Sequence, residues 1–500
     1  MKRIYHYEKN LALILAALIL LTSVSCSAAT DNSTNETEAP AVDTVQTEPS
    51  ETLVESTIEN LLPAENFGGR DFRISCNSKY SYEMSVEEMT GDVCNDAVFK
   101  RNAKIEDLYN VKIVPKITTF VGNDTHVTEV INTITAGVDE YDLTGVYTYL
   151  AGRAVLQGCY HSWSHVPVVD FSKKWWVQSA NEAFSIGGDR YVAVGDLSIT
   201  TLLLSYGVFF NQNLAADYNL PDLYETVLNG EWTIDKLRTL SADIYKDTNG
   251  DGKQNISDTF GLGVEKVTNL DVYPSAFDIS LIKHDASGNP VVAINAEKFV
   301  AALEQVYALY YNNGNGTLVC DTPGDEIPAF ANGNLLFVTT WVDNAFNAFR
   351  EMEDDYGILP YPKFDENQEQ YYTNSMDNYS LLSVPITVTI DNLGFVGHIT
   401  EALTIESHNT VFPAYYDVAL TDKYARDENS VEMLNIMMDG RKYDFSILHN
   451  DKMQRLPYMF RNLIAQKSID FASSYAAIQD ALETGINSLV EDYAKLQDRE

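Results

Sequence analysis

Between Asp71 and Val146 two periodicities take turns, and this alternation restricts the fold more than any other feature of the chain. Asp71-Phe72-Arg73-Ile74-Ser75-Cys76 alternates apolar and polar residues with the period of a strand. Val93 to Tyr109 carries the period of an amphipathic helix, with Ala97, Val98, Ile105 and Leu108 expected inward. Val111 to Ile117 alternates again. Thr125 to Ala136 reads as a helix with Val127, Val130, Ile131 and Ile134 on one face, and Tyr141 to Val146 is a short apolar strand. Strand, helix, strand, helix, strand is the pattern of an α/β unit with a mostly parallel sheet.

A second α/β stretch follows. Leu202 to Asn211 is β-prone, and Thr233 is placed to cap a helix whose inward residues are Leu237, Leu240 and Ile244. Lys298 to Tyr311 reads as a helix and Asn334 to Thr340 as a strand. Asp355 to Pro362 reads as a crossover between units, because Pro360 and Pro362 forbid helix. Ser380 to Val388 is expected as a strand. Helices are expected over Gly397 to Ile405, Ser430 to Met438, Leu456 to Gln466 and Ala476 to Leu496. After a leader is set aside, roughly 440 of the 500 residues are left to fold, enough for two domains or one bilobal unit.

The N-terminus implies export. Lys2, Arg3 and Lys9 precede an apolar run from Leu11 to Leu21, which is shorter than the ~20 residues a membrane span needs. Small residues lead to Cys26, whose thiol is the expected lipid attachment point; an ordinary cleavage near Ser25 or Ala28 is the alternative. Leu21 to Cys26 resembles a bacterial lipoprotein signal, except that Ser23 stands three residues before the cysteine where Leu is usual. No Lys or Arg occurs between Lys9 and Arg70, and residues 27–62 read as a disordered acidic tether. The whole chain carries 72 acids against 34 bases, a formal charge of −38, which opposes nucleic-acid binding and docking on anionic lipid through protein charge. Cys76, Cys94, Cys159 and Cys320 are widely spaced; pairing and buried free thiols both remain open.

The sharpest local motif is Asp247 to Asp258. Asp247, Asn249, Asp251, Asn255 and Asp258 stand at positions 1, 3, 5, 9 and 12 of a calcium loop, with Gly252 at position 6 and the Lys253 carbonyl at position 7. A hard cation wants six or seven oxygens, so a structural Ca2+ is the expected cofactor. Asp258 in place of Glu shortens the reach at position 12. Thr259 to Gly263 does not read as an exiting helix, which argues for a single loop on another scaffold. Cys159, His161 and His165 lack a nearby fourth ligand for zinc. Nucleophile-elbow, metalloprotease, Walker A and dinucleotide-binding signatures do not occur, and no local pattern selects a carboxylate pair for glycoside hydrolysis.

Aromatic residues suggest a ligand surface. The chain holds 30 Tyr, 21 Phe and 5 Trp, and an aromatic face stacks on the C–H face of a sugar while Asp and Asn bind its hydroxyls. Tyr147 follows one expected strand and Trp341 another, where α/β proteins bind ligands, and Asp343 stands beside Trp341. Trp175 and Trp176 are weaker candidates, for which core packing is the competing reading.

Several segments together resemble a family. They are Gly91-Asp92-Val93-Cys94-Asn95-Asp96-Ala97 with Arg101-Asn102, Ala136 to Leu143, Lys174-Trp175-Trp176, Gly207 to Asn211, Gly230 to Leu237, Tyr356 to Lys363 and Pro413-Ala414-Tyr415-Tyr416. In this order the chain from about Asp71 resembles the family 1 extracellular solute-binding proteins of bacterial ABC importers, especially clostridial sugar-binding lipoproteins. The resemblance implies a periplasmic-binding-protein-like type II fold: two α/β lobes joined by a hinge, with ligand in the cleft between them. Lobe 1 would combine residues 63–200 with 363–445, and lobe 2 residues 201–362 with 446–500. It implies stacking at Trp341 and Tyr147, an extracytoplasmic, membrane-anchored monomer, a carbohydrate ligand expected to be an oligosaccharide, an ABC permease as partner, and no catalysis. A surface adhesion protein and a secreted glycoside hydrolase are the alternatives.

Overall fold

A computed structural model describes residues 57–421 and 428–497. The expected signal, Cys26 and the tether up to residue 56 lie outside the described residues. The end of the expected tether is ordered: Ile58–Leu61 forms a helical turn that fully buries Ile58 against the helix Ile390–Glu406.

The strands are β1 Arg70–Asn77, β2 Val111–Thr118, β3 Leu143–Tyr147, β4 Tyr206–Asn211, β5 Tyr245–Lys246, β6 Thr259–Glu265, β7 Ile282–His284, β8 Pro290–Val292, β9 Thr317–Cys320, β10 Leu335–Trp341, β11 Tyr356–Leu359 and β12 Ser380–Ser383. The first sheet has the order β12-β3-β1-β2. β1 pairs in parallel with β2 (Phe72 opposite Ile113) and with β3 (Ile74 opposite Leu143), as a β-α-β-α-β unit requires. β12 returns antiparallel, with Leu381 opposite Val146. The second sheet has the order β11-β4-β10-β6-β5, with β9 also on β6. There β6 runs parallel to β10 and β9, while β4 runs antiparallel to β10 and β11. The expected α/β class is the one found.

The helix between β1 and β2 spans Val93–Tyr109, as its period predicts. The Asp92 carboxylate accepts the Asn95 amide at 3.0 Å at its start, and Asn110 ends it in the left-handed region. Its buried stripe is displaced from the expected one. Cys94, Val98, Arg101, Asn102, Ile105 and Tyr109 are buried, while Ala97 and Leu108 are half-buried. Two polar residues can sit in this stripe because both reach the Met84 carbonyl, Arg101 Nη2 at 2.8 Å and Asn102 Nδ2 at 3.0 Å.

Two other expectations are corrected. The β-prone stretch from Leu202 opens instead with the helical turn Thr200–Leu203 before β4. Buried Glu83 is the reason: it accepts both the Thr200 amide (3.1 Å) and the Thr200 hydroxyl (2.8 Å), fixing a helical start where propensity favours strand. The strand from Ser380 stops at Ser383, two residues before Pro385, which has no amide to donate.

Two chain passages link the sheets side by side. The Tyr206 amide donates to the Asn374 carbonyl at 3.1 Å, and the Thr373 hydroxyl returns a bond to the Tyr206 carbonyl at 2.8 Å. Trp232 secures the crossover after β11: its indole, fully buried beside Phe337, donates to the Pro360 carbonyl at 2.9 Å. The helix Glu428–Asp439 packs on β11, and the last helix, Gln479–Gln497, holds the His449 ring through the Tyr493 hydroxyl at 2.8 Å. No described helix is long and apolar enough to cross a membrane.

Candidate functional site

The carboxyl ends of β1 and β10 open onto one cavity of about 400 Å3. Beyond β1 the chain supplies Lys79, Tyr80 and Tyr82, and the start of the next helix adds Asp92 and Cys94. Beyond β10, Asp343, Phe346, Asn347 and Arg350 face them from the second sheet, and Leu203 and Tyr415 close the wall. A strand's carboxyl end is where an α/β sheet leaves its loops free to hold ligand. This cavity takes such loops from both sheets.

The lining is aromatic and mixed in charge. Tyr80 meets Tyr82 edge-on at 6.2 Å between ring centroids, and Phe346 meets Tyr415 at 5.6 Å. Burial pushes the phenols of Tyr80, Tyr82 and Tyr415 upward, so each stays a neutral donor and acceptor. Burial raises the Asp343 carboxyl and lowers the Lys79 ammonium, and the attraction of each to the other partly offsets both shifts. Nothing here resembles a nucleophile with its base. Cys94 is a buried thiol pushed up to about 12, too protonated to react.

The expected ligand residues separate into four places. Asp343 lines the cavity. Tyr147 sits behind its wall, 2% exposed, with its ring 5.7 Å from that of Tyr80. Trp341 is half-buried at the end of β10 and packs edge-on against Tyr206 at 6.4 Å, away from the cavity lining. Trp175 and Trp176 lie in the core behind the first sheet. Both indoles donate to one carboxylate, Glu401, at 2.7 and 2.9 Å. Sequence reasoning passed over Tyr80, Tyr82, Phe346 and Tyr415. The rule that singled out Tyr147 at the end of β3 applies equally to the tyrosines just past β1.

The loop Asp247–Asp258 joins β5 to β6 as a hairpin, and the helix before it, expected to reach Ile244, ends at Ser241. Gly250 and Gly252 adopt φ of +72° and +71°, which makes the sharp turn possible. Asp247 accepts the amides of Gly250 (2.7 Å) and Gly252 (2.9 Å), and the Asn249 side chain that of Asp251 (2.9 Å). Asp251 accepts the amide of Lys253 (2.8 Å), and buried Asp258 those of Thr248 (3.1 Å) and Asn255 (3.2 Å). The Lys253 carbonyl accepts the Asn255 side-chain amide at 3.0 Å. The oxygen donors suit a hard cation, and their lone pairs presently order the loop's own backbone. Among the described residues no three of His, Cys, Asp and Glu converge as a metal cluster. His161 is bonded to the Val388 carbonyl at 2.8 Å, and Cys76, Cys94, Cys159 and Cys320 are buried free thiols.

No family model and no curated protein matches this chain. Solved structures do. An ABC substrate-binding protein from Listeria monocytogenes in complex with cycloalternan aligns over 85% of this chain and 99% of its own, with TM-score 0.51 and 13% identity. The GacH receptor of Streptomyces glaucescens, solved unliganded and with acarbose, aligns over 86% and 98%, with TM-score 0.52 and 13% identity. UgpB from Mycobacterium tuberculosis in complex with glycerophosphocholine aligns over 85% and 99%, with TM-score 0.52 and 15% identity. With its two mixed sheets and a cavity between their strand ends, the chain has the type II periplasmic-binding-protein fold of the ABC-transporter solute-binding proteins.

Proposed function

We propose that this chain is the capture component of an ABC importer, holding a carbohydrate outside the membrane and passing it unchanged to the permease. The cavity between the strand ends of the two sheets carries this reading, because it combines aromatic faces with neutral phenols and the half-buried carboxyl of Asp343. Such a lining fits a ring with apolar C–H faces and many hydroxyls. A volume of about 400 Å3 is near the lower end of small-molecule sites, ~300–1,000 Å3, which favours a short saccharide over a long one. The ligands named for GacH and the Listeria protein support the same class.

In this reading the sheet β12-β3-β1-β2 centres lobe 1 and the sheet with β10 centres lobe 2, and hinge closure traps the ligand. The permease distinguishes loaded from empty protein because ligand favours the closed form. Cys26 carries the lipid anchor, and the chain acts as a monomer.

Saccharides screened by thermal shift should include at least one that raises Tm, with a saturable change in Trp fluorescence and no new reducing ends. Tyr82→Ala is expected to weaken that binding about tenfold, or about 1.4 kcal/mol. A cleft that binds no saccharide, or a saccharide converted to product, would end this reading.

Calcium in the loop Asp247–Asp258 is proposed as structural. Calcium at about 100 times its Kd should add about 2.7 kcal/mol of stability, reversed by chelator. Asp251→Ala should remove only the calcium-dependent part. A wild-type Tm indifferent to both calcium and chelator would reject the ion.

A further inference from the structure

Tyr415 reaches the cavity from a helix with one irregular turn. The chain is helical from Ile390 to Thr421, but Ser407–Val411 is a π-helical turn in which the Phe412 amide donates to the Ser407 carbonyl, five residues back. Pro413 supplies a local cause. It has no amide, and in a regular α-helix its ring would press on the Asn409 carbonyl. Widening the turn just before the proline removes that clash, as π turns do where a residue is accommodated within an α-helix.

The two ends of this turn have different attachments. On its N-terminal side the helix is fixed to the first sheet's layer: Arg101 donates to the Ser407 hydroxyl at 3.0 Å, Lys104 pairs with Glu406 at 2.9 Å, and Glu401 is held by Trp175 and Trp176. On the C-terminal side Tyr415 lines the cavity and meets Phe346, which follows β10. Successive residues of an α-helix are rotated by about 100°. With the N-terminal side fixed, returning this turn to α geometry at the same chain length would swing Tyr415 through about that angle, away from Phe346.

We propose that the π turn Ser407–Val411, maintained by Pro413, sets the register in which Tyr415 faces the ligand. This rests on the reading of the cleft as a carbohydrate site. Tyr415 is then a contact residue, and Pro413 a positioning residue acting through it.

The test compares saccharide affinity and crystal structures of four variants. Tyr415→Ala sets the scale, expected at about a tenfold loss. Pro413→Ala, which permits a regular turn, should lose a comparable factor, with Tyr415 displaced from Phe346. Adding deletion of Asn409 to Pro413→Ala removes the extra residue from the regular helix, returns Tyr415 to its register and should restore affinity. A purely structural proline gives no such rescue. Insertion of one alanine after solvent-exposed Asn409 in the wild-type chain is the fourth variant, and it too should displace Tyr415 and weaken binding. The proposal is overturned if Pro413→Ala keeps wild-type affinity with Tyr415 on Phe346, if the folded double variant stays as weak as Pro413→Ala, or if the insertion leaves binding intact. Should wild-type protein bind no saccharide, the carbohydrate reading fails alone, and the position of Tyr415 in the variant crystals still decides the register.

Discussion

Glu401→Ala is expected to lower the free energy of unfolding by about 3–4 kcal/mol, measured by urea denaturation. The Glu401 side chain is buried, and its two oxygens each accept one indole N–H, from Trp175 and Trp176. Truncation leaves two buried donors unpaired, at about 1–3 kcal/mol each, and opens a void beside two large rings. The same carboxyl gives a pH signature. Burial pushes it up to about 7 from an ordinary 4.5, against the pull of the two indoles. A pKa raised on folding adds stability that is fully present below about 4.5 and lost as pH rises through about 7. Glu83 and Glu326, also pushed up to about 7 by burial, act in the same direction. Buried His126 and His449, held down to about 4 and about 3, act in the opposite direction, so the signature of Glu401 is a difference: wild type should gain stability relative to Glu401→Gln on acidification from pH 8 toward pH 5. A difference that shrinks on acidification would contradict the assignment.

Trp232→Ala is expected to cost about 3–5 kcal/mol. The indole is fully buried against Phe337, in the middle of the second sheet, and its N–H is bonded to the Pro360 carbonyl in the crossover that follows β11. The substitution leaves a cavity and an unpaired carbonyl where the chain starts back toward the first sheet. Phenylalanine fills most of the volume but cannot donate. Trp232→Phe should therefore recover most of the loss, leaving about 1–2 kcal/mol for the missing bond. An equal loss in both variants would mean that packing contributes little here.

The fold was readable because its signals are local. The alternating period of β1, the Thr233 cap and the prolines after β11 each act within a few residues, and each appears where the sequence implies. The site was less readable because its walls come from distant segments. Trp175 and Trp176, weaker candidates with core packing as the competing reading, both donate to Glu401, 226 and 225 positions later, a partner no local pattern announces. Arg101 and Asn102 displaced Ala97 and Leu108 from the buried stripe because Met84, in a separate loop, offered its carbonyl. Periodicity measures apolar character, so it passes over a buried polar residue that finds a partner elsewhere. Asp343 lines the cavity beyond β10, whereas Trp341, two residues earlier, packs against Tyr206. Nothing within a strand end determines which of its neighbours faces the gap.

The return of β12 to the first sheet affects biosynthesis. Thr148 and Tyr379, bonded at the junction of β3 and β12, are 231 positions apart. While the ribosome makes the intervening segment, the outer edge of β3 carries unpaired amides and carbonyls that invite pairing with other chains. The N-terminal sheet is therefore completed only after nearly four-fifths of the polypeptide has emerged. A chain of this topology benefits from a holding chaperone until then.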